Sequence, residues 1–135
     1  MIARVPDAGA ADVDAAVAAA RACFETDAWQ ATTGAQRAVW LRAIAGELRA
    51  ASERLALIES AQNGKPFQEA LEDVEASAYT FDYYGKLADE LDARQMTPVD
   101  VPDARFKAYL RFEPGGVAAH ITPFNYPLLM VCICH

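Results

Sequence analysis

Four residues near the middle of the chain, Asn63-Gly64-Lys65-Pro66, do most to limit how it can fold. Pro66 lacks the N–H that a continuing helix needs, and Gly64 accepts the left-handed backbone conformation that closes a helix C-terminus. On either side, apolar residues recur at helical spacing. Upstream, Leu41, Ile44, Leu48, Leu55 and Ile58 stand opposite Arg42, Glu47, Arg49 and Glu53, which predicts a helix over residues 35–62. Downstream, Leu71, Val74, Ala78, Phe81, Tyr84, Ala88 and Leu91 predict another over residues 67–91. Two long helices with so short a link pack antiparallel.

The flanks add smaller elements. Asp12 reads as the N-cap of a first helix whose apolar face carries Val13, Val17, Ala20 and Phe24, with Cys23 buried beside them. After Asp92, residues 96–101 and 106–112 alternate apolar and polar side chains around Pro102-Asp103-Ala104, the pattern of a β-hairpin. Residues 117–121 read as a further strand, leading into a turn held by Pro123 and Pro127 with Asn125 at its tip. The fold class is therefore α/β: helices, a hairpin, and the first strand of a Rossmann-like parallel sheet whose other strands are not in residues 1–135. The apolar run from Leu128 to Ile133 predicts uncovered apolar surface.

Composition excludes several functions. A 53% hydrophobic content supports one domain with a core, and a net charge of −7 without any Lys or Arg cluster argues against nucleic acid and anionic membranes as partners. No apolar run reaches the roughly 20 residues that span a bilayer. The Ala-rich start is broken by Asp12, Asp14 and Arg21, unlike the apolar centre of a signal peptide. Cys23, Cys132 and Cys134 form no disulfide framework and fit a reducing compartment, so the expected location is cytoplasmic. Cys132, Cys134 and His135 are too few ligands for a closed zinc site, and no metal is expected.

Read alone, Asn125 between two prolines is a turn former, Phe124 and Tyr126 are core aromatics, and Asp73 and Glu75 are solvated residues of a first helical turn. A sharper reading comes from the wording of the chain. Glu113-Pro114-Gly115-Gly116-Val117 followed by Ile121-Thr122-Pro123-Phe124-Asn125-Tyr126-Pro127 closely resembles the aldehyde dehydrogenase superfamily's Glu-Pro-x-Gly-Val strand and Ile-x-Pro-Trp-Asn-[Phe/Tyr]-Pro turn. Glu59 and Asn63-Gly64-Lys65-Pro66 are similar to that family's Glu-x-x-x-[Asp/Asn]-Gly-Lys-Pro helix end. Leu91-Asp92-Ala93-Arg94-Gln95, Pro98-Val99 and Phe106-Lys107 look most like its betaine aldehyde and aminoaldehyde branch.

The resemblance implies roles. Asn125 matches the asparagine that holds the oxyanion when a cysteine thiolate attacks the aldehyde; losing one such donor costs about 2.7–4 kcal/mol of transition-state stabilisation. Ile121, Thr122, Pro123 and Phe124 match the segment that lines the NAD or NADP pocket. Tyr126 matches an aromatic flanking the aldehyde tunnel, where a ring face suits a cationic substrate, and Asp73 matches one of two acids at that tunnel's mouth. Residues 94–112 resemble the family's oligomerisation hairpin.

The sequence departs from the family as well. Ala76 replaces the second acid, Phe124 stands where Trp is usual, and after Met130 the family's Ala-x-x-Lys-x-x-Pro-Ala-Leu continuation is absent. The resemblance covers roughly a quarter of a full enzyme. The family's catalytic cysteine motif and base glutamate have no counterpart here, so the expectation is a fragment inactive on its own that does not bind the cofactor alone. The alternative is a non-catalytic protein that pairs through its hairpin and helix faces with itself or with a full-length relative.

Overall fold

The computed structural model describes residues 4–134. They form six helices and two strands: α1 (Ala10–Phe24), α2 (Asp27–Gln30), α3 (Gly34–Ala50), α4 (Ser52–Asn63), α5 (Phe67–Arg94), β1 (Thr97–Val99), β2 (Ala108–Leu110) and α6 (Pro127–Ile133). The described chain is mostly helical, with one small antiparallel sheet.

The centre is the expected antiparallel pair. Gly34 opens α3 against Asp92 at the far end of α5; Arg42 meets Asp89, and Arg49 meets Asp82 and Glu75, so rising numbers on one helix face falling numbers on the other. Alanines let α3 and α4 approach α5. Ala38, Ala45, Ala56, Ala70 and Ala78 are fully buried, while Ile44 and Ile58, expected in the stripe, are exposed. Small side chains dictate this, because a Cβ on Gly34 would run into the Ala88 carbonyl oxygen, and a bulky row could not fit where backbones lie so close. Val74 and Phe81 supply the large buried side chains, and full burial of one such residue contributes about 1.5–3 kcal/mol.

Helix ends follow local chemistry. Thr33 caps α3, its hydroxyl accepting from the Gln36 N–H at 3.1 Å while Gln36 Oε1 accepts from the Thr33 N–H at 2.9 Å. Asp12 is not the N-cap of α1 but its third residue: its carboxylate accepts from the Gly9 N–H at 2.8 Å, so the helix starts three residues earlier than the cap rule suggests. The helix expected over residues 35–62 is divided at Ala51 (φ −101°, ψ 11°), although the Ala51 N–H still bonds Glu47 and Leu55 bonds Ala51. Alanine is the best helix former, so no residue there announces the break. Gly64 closes α4 in the left-handed region (φ 83°), as its type implies.

The hairpin is present but short, pairing Thr97 with Leu110 and Val99 with Ala108. Residues 117–121 form no ladder, contrary to the expected strand. A parallel strand draws its main-chain bonds from neighbours in the same sheet, and the described residues contain no such neighbour. Cys23 is exposed rather than buried. The C-terminal apolar run is partly covered: Cys132 is buried with Ala45, Ala78 and Phe81, Leu128 packs on the same cluster, and Val131 and Ile133 remain exposed.

Candidate active site

The link between α4 and α5 and the turn before α6 meet, and the residues singled out in the sequence gather there. The Lys65 N–H donates to Asn63 Oδ1 at 3.0 Å and the Lys65 carbonyl accepts from the Ser60 hydroxyl at 2.7 Å, so the link is pinned from both sides. Asn63 Nδ2 in turn reaches the Asn125 carbonyl oxygen at 3.5 Å. Tyr126 caps α6, and Pro127 stands in its first turn, where a missing N–H costs nothing. Asn63, Gly64, Lys65, Phe124 and Asn125 line a shallow cavity of about 260 Å³. Asn125 lies exposed on its rim.

Asp73 and Tyr126 are brought together through Lys65. Its ammonium donates to Glu59 Oε1 at 2.7 Å, bonds the Asp73 carboxylate, and sits 4.3 Å from the centre of the Tyr126 ring. The Glu59 side chain is 4% exposed, that of Lys65 12% and that of Asp73 14%. Burial by itself pushes the Lys65 pKa down; hydrogen bonds to Asp73 and Glu59 outweigh it and leave the pKa raised. Asp73 is thus no solvated helix-start residue, whereas Glu75 is exposed and pairs with Arg49.

Lys65 and Glu59 took no functional part in the sequence reading. Glu59 follows Leu55 and Ala56 at helical spacing, and an acid on an apolar face needs a cation within reach. That was the available signal. The aromatics, in contrast, are not core: Phe124 is 81% exposed and Tyr126 42%.

Ile121 is 98% exposed, and Pro123 and Phe124 are also open, with Thr122 half-buried. Among the described residues no group of three His, Cys, Asp or Glu could hold a metal ion, and His135 lies outside them. Burial pushes the Cys132 thiol up, with the Ser77 hydroxyl pulling it partly back, which favours the unreactive protonated form.

The aldehyde dehydrogenase family profile matches residues 1–134. The chain belongs to the aldehyde dehydrogenase family. It is 46% identical over 129 residues to aminoaldehyde dehydrogenase 2 of Zea mays, covering 93% of this chain and 26% of that protein. It is 45% identical over 129 residues to betaine aldehyde dehydrogenase 1 of Oryza sativa subsp. japonica, covering 93% and 26%. A solved structure from Burkholderia cenocepacia, assigned as an aldehyde dehydrogenase, superposes with a TM-score of 0.85 at 32% identity over 96% of this chain and 26% of that one. The chain therefore spans about a quarter of the length of the relatives it matches.

Proposed function

We propose that these 135 residues are the portion of an NAD(P)-dependent aldehyde dehydrogenase that supplies the oxyanion donor, Asn125, for oxidation of an aldehyde to a carboxylic acid. The observation that carries this reading is the placement of Asn125. It sits exposed on a cavity rim, on a turn held by Asn63 and by the helix start at Pro127, beside Tyr126. As a nucleophile adds to a carbonyl carbon, the oxygen takes up the bond's electron pair, and a fixed amide N–H aimed at it stabilises the charge. Ile121, Thr122, Pro123 and Phe124 would wall the nicotinamide cofactor, which when bound supplies the hydride acceptor. Tyr126 and Asp73 would line the substrate side.

Turnover needs more than this. Cys132 is buried with its thiol held protonated, and the exposed Cys23 and Cys134 match no catalytic cysteine of the family. The isolated chain is accordingly expected to form no NADH or NADPH from aldehyde, and not to retain the cofactor. Reduction of NAD by the pure chain in the presence of betaine aldehyde would overturn that expectation. No helix among the described residues is long and apolar enough to cross a membrane, and a cytoplasmic location is part of this proposal.

A second reading has its own observation. The hairpin region exposes Val99, Phe106, Tyr109 and Leu110, and α6 exposes Val131 and Ile133. These surfaces suit a non-catalytic chain that pairs with itself or with a full-length relative. Under it, this chain and the maize relative co-elute from a sizing column; separate elution removes the pairing with a relative.

A further inference from the structure

Asn125 is exposed, and the hydrogen bond that ties it to the α4–α5 link runs through its main-chain carbonyl and not its side-chain amide. An exposed amide takes its direction from the main chain that carries it. That main chain has little regular structure to hold it: Tyr126, the next residue, adopts φ −133° and ψ 65°, outside both the helical and the extended regions. Two side chains of the link reach it from below. Asn63 Nδ2 meets the Asn125 carbonyl oxygen at 3.5 Å, the long end of a hydrogen bond, and the Lys65 ammonium lies 4.3 Å from the centre of the Tyr126 ring. Lys65 is the firmer hold. Its ammonium is fixed by Glu59 on α4 and Asp73 on α5, its own N–H and carbonyl are bonded to Asn63 and Ser60, and its side chain is 12% exposed.

We propose that Lys65 is a positioning residue for Asn125: by holding the ring of Tyr126 against an ammonium anchored on two helices, it fixes the turn and aims the Asn125 amide before a substrate arrives. The inference deepens the aldehyde dehydrogenase reading and rests on it for the role of Asn125. Lys65 itself touches no reacting atom. A donor fixed in advance stabilises developing charge without reorganising, whereas one that must be drawn into line during the reaction gives back part of that gain. Lys65 suits this task because its charge is held from both helices at once. Glu59 and Asp73 refer the position of the ammonium to the helical core, and the ring face carries that reference across to the turn. The contact depends on the ring face and not on the tyrosine hydroxyl, so a phenylalanine would preserve it and an aliphatic side chain would not.

The first test needs no turnover. The main-chain N–H of Asn125, assigned by Asn125→Ala, is followed by NMR relaxation in the full chain and in Tyr126→Phe, Tyr126→Leu and Lys65→Met. In the unsubstituted chain and in Tyr126→Phe its order parameter should match the rigid value of α5, about 0.85. In Tyr126→Leu and Lys65→Met it should fall toward about 0.6 while the signals of Val74 and Phe81 in the core stay in place. A mobile Asn125 in the unsubstituted chain, or an equally rigid one in Tyr126→Leu, would overturn the proposal. Should Lys65→Met fail to fold, the two Tyr126 variants decide, and the same order parameter in both counts against it. The catalytic consequence is read in a chimera carrying these 135 residues in the maize relative. There Lys65→Met should lower kcat by up to about 10²-fold with KM held, and should lower it no further once Asn125→Ala is present. If Asn125→Ala lowers kcat and Lys65→Met does not, the positioning role is wrong; if Asn125→Ala has no effect, the enzymatic reading fails instead. An inactive chimera leaves the decision to the relaxation comparison.

Discussion

The Lys65 ammonium lies 4.3 Å from the centre of the Tyr126 ring, tying the link between α4 and α5 to the turn that carries Asn125. The two residues are 61 positions apart in sequence (126 − 65), and their contact adds to the Asn63–Asn125 hydrogen bond and the packing of Leu128 and Cys132 in joining the candidate site to the helical core. Glu59 and Asp73 hold that side chain from behind.

Removing the cation leaves two enclosed carboxylates facing one another. Lys65→Met should therefore destabilise the chain by about 3–5 kcal/mol, the cost of breaking a buried ion pair from one side. Urea unfolding measures it, and the additional change Glu59→Gln should recover part of the loss.

The same cluster sets a pH dependence. The Lys65 pKa is raised above its ordinary 10.5: burial lowers it, and the bonds to Asp73 and Glu59 raise it by more. A raised folded-state value means that the stabilisation is fully present below the unfolded value and is lost as pH climbs through the folded one. Stability attributable to Lys65 should hold through neutral pH and decline only above about 10.5, and the decline should be absent in Lys65→Met. Thermal unfolding across an alkaline pH series separates the two chains.

Two glycines of α3 should respond in opposite directions. Gly34→Ala places a methyl group against the Ala88 carbonyl oxygen and should cost about 1–3 kcal/mol by overpacking. Gly46 is exposed with nothing near its missing Cβ, so Gly46→Ala should stabilise by about 0.8–1 kcal/mol through helix propensity alone. Comparing the two midpoints checks the close approach of α3 and α5.

Thiol accessibility offers a further check. Cys132 is buried against Phe81 and its thiol is pushed up, whereas Cys23 and Cys134 are exposed. Iodoacetamide followed by mass spectrometry should label the exposed pair first and Cys132 only as the chain opens. Equal rates would contradict the packing of α6 onto α5.

Elements with local causes were legible in the sequence. Gly64 and Pro66 gave the helix break, the apolar stripe gave α5, and the alternation around Pro102 gave the hairpin. What depended on partners was not. The stripe of large residues on α3 proved less buried than the alanines beside it, because the closeness of α5 is a property of both helices and of Gly34. Residues 117–121 had strand composition but no neighbour for their main-chain bonds. At the candidate site, the family wording singles out Asn125, Tyr126 and Asp73, which the structure brings near one another; Lys65 reads in the sequence as a turn residue, and only Glu59 on an apolar face hints at the cation it meets.

The role of Asn125 is tested most directly by a chimera in which these 135 residues replace the matching quarter of the maize aminoaldehyde dehydrogenase. In that background Asn125→Ala should lower kcat for aldehyde oxidation by about 10²–10³, the loss of one oxyanion donor, with little change in KM. An active chimera in which Asn125→Ala leaves kcat unchanged would contradict the account.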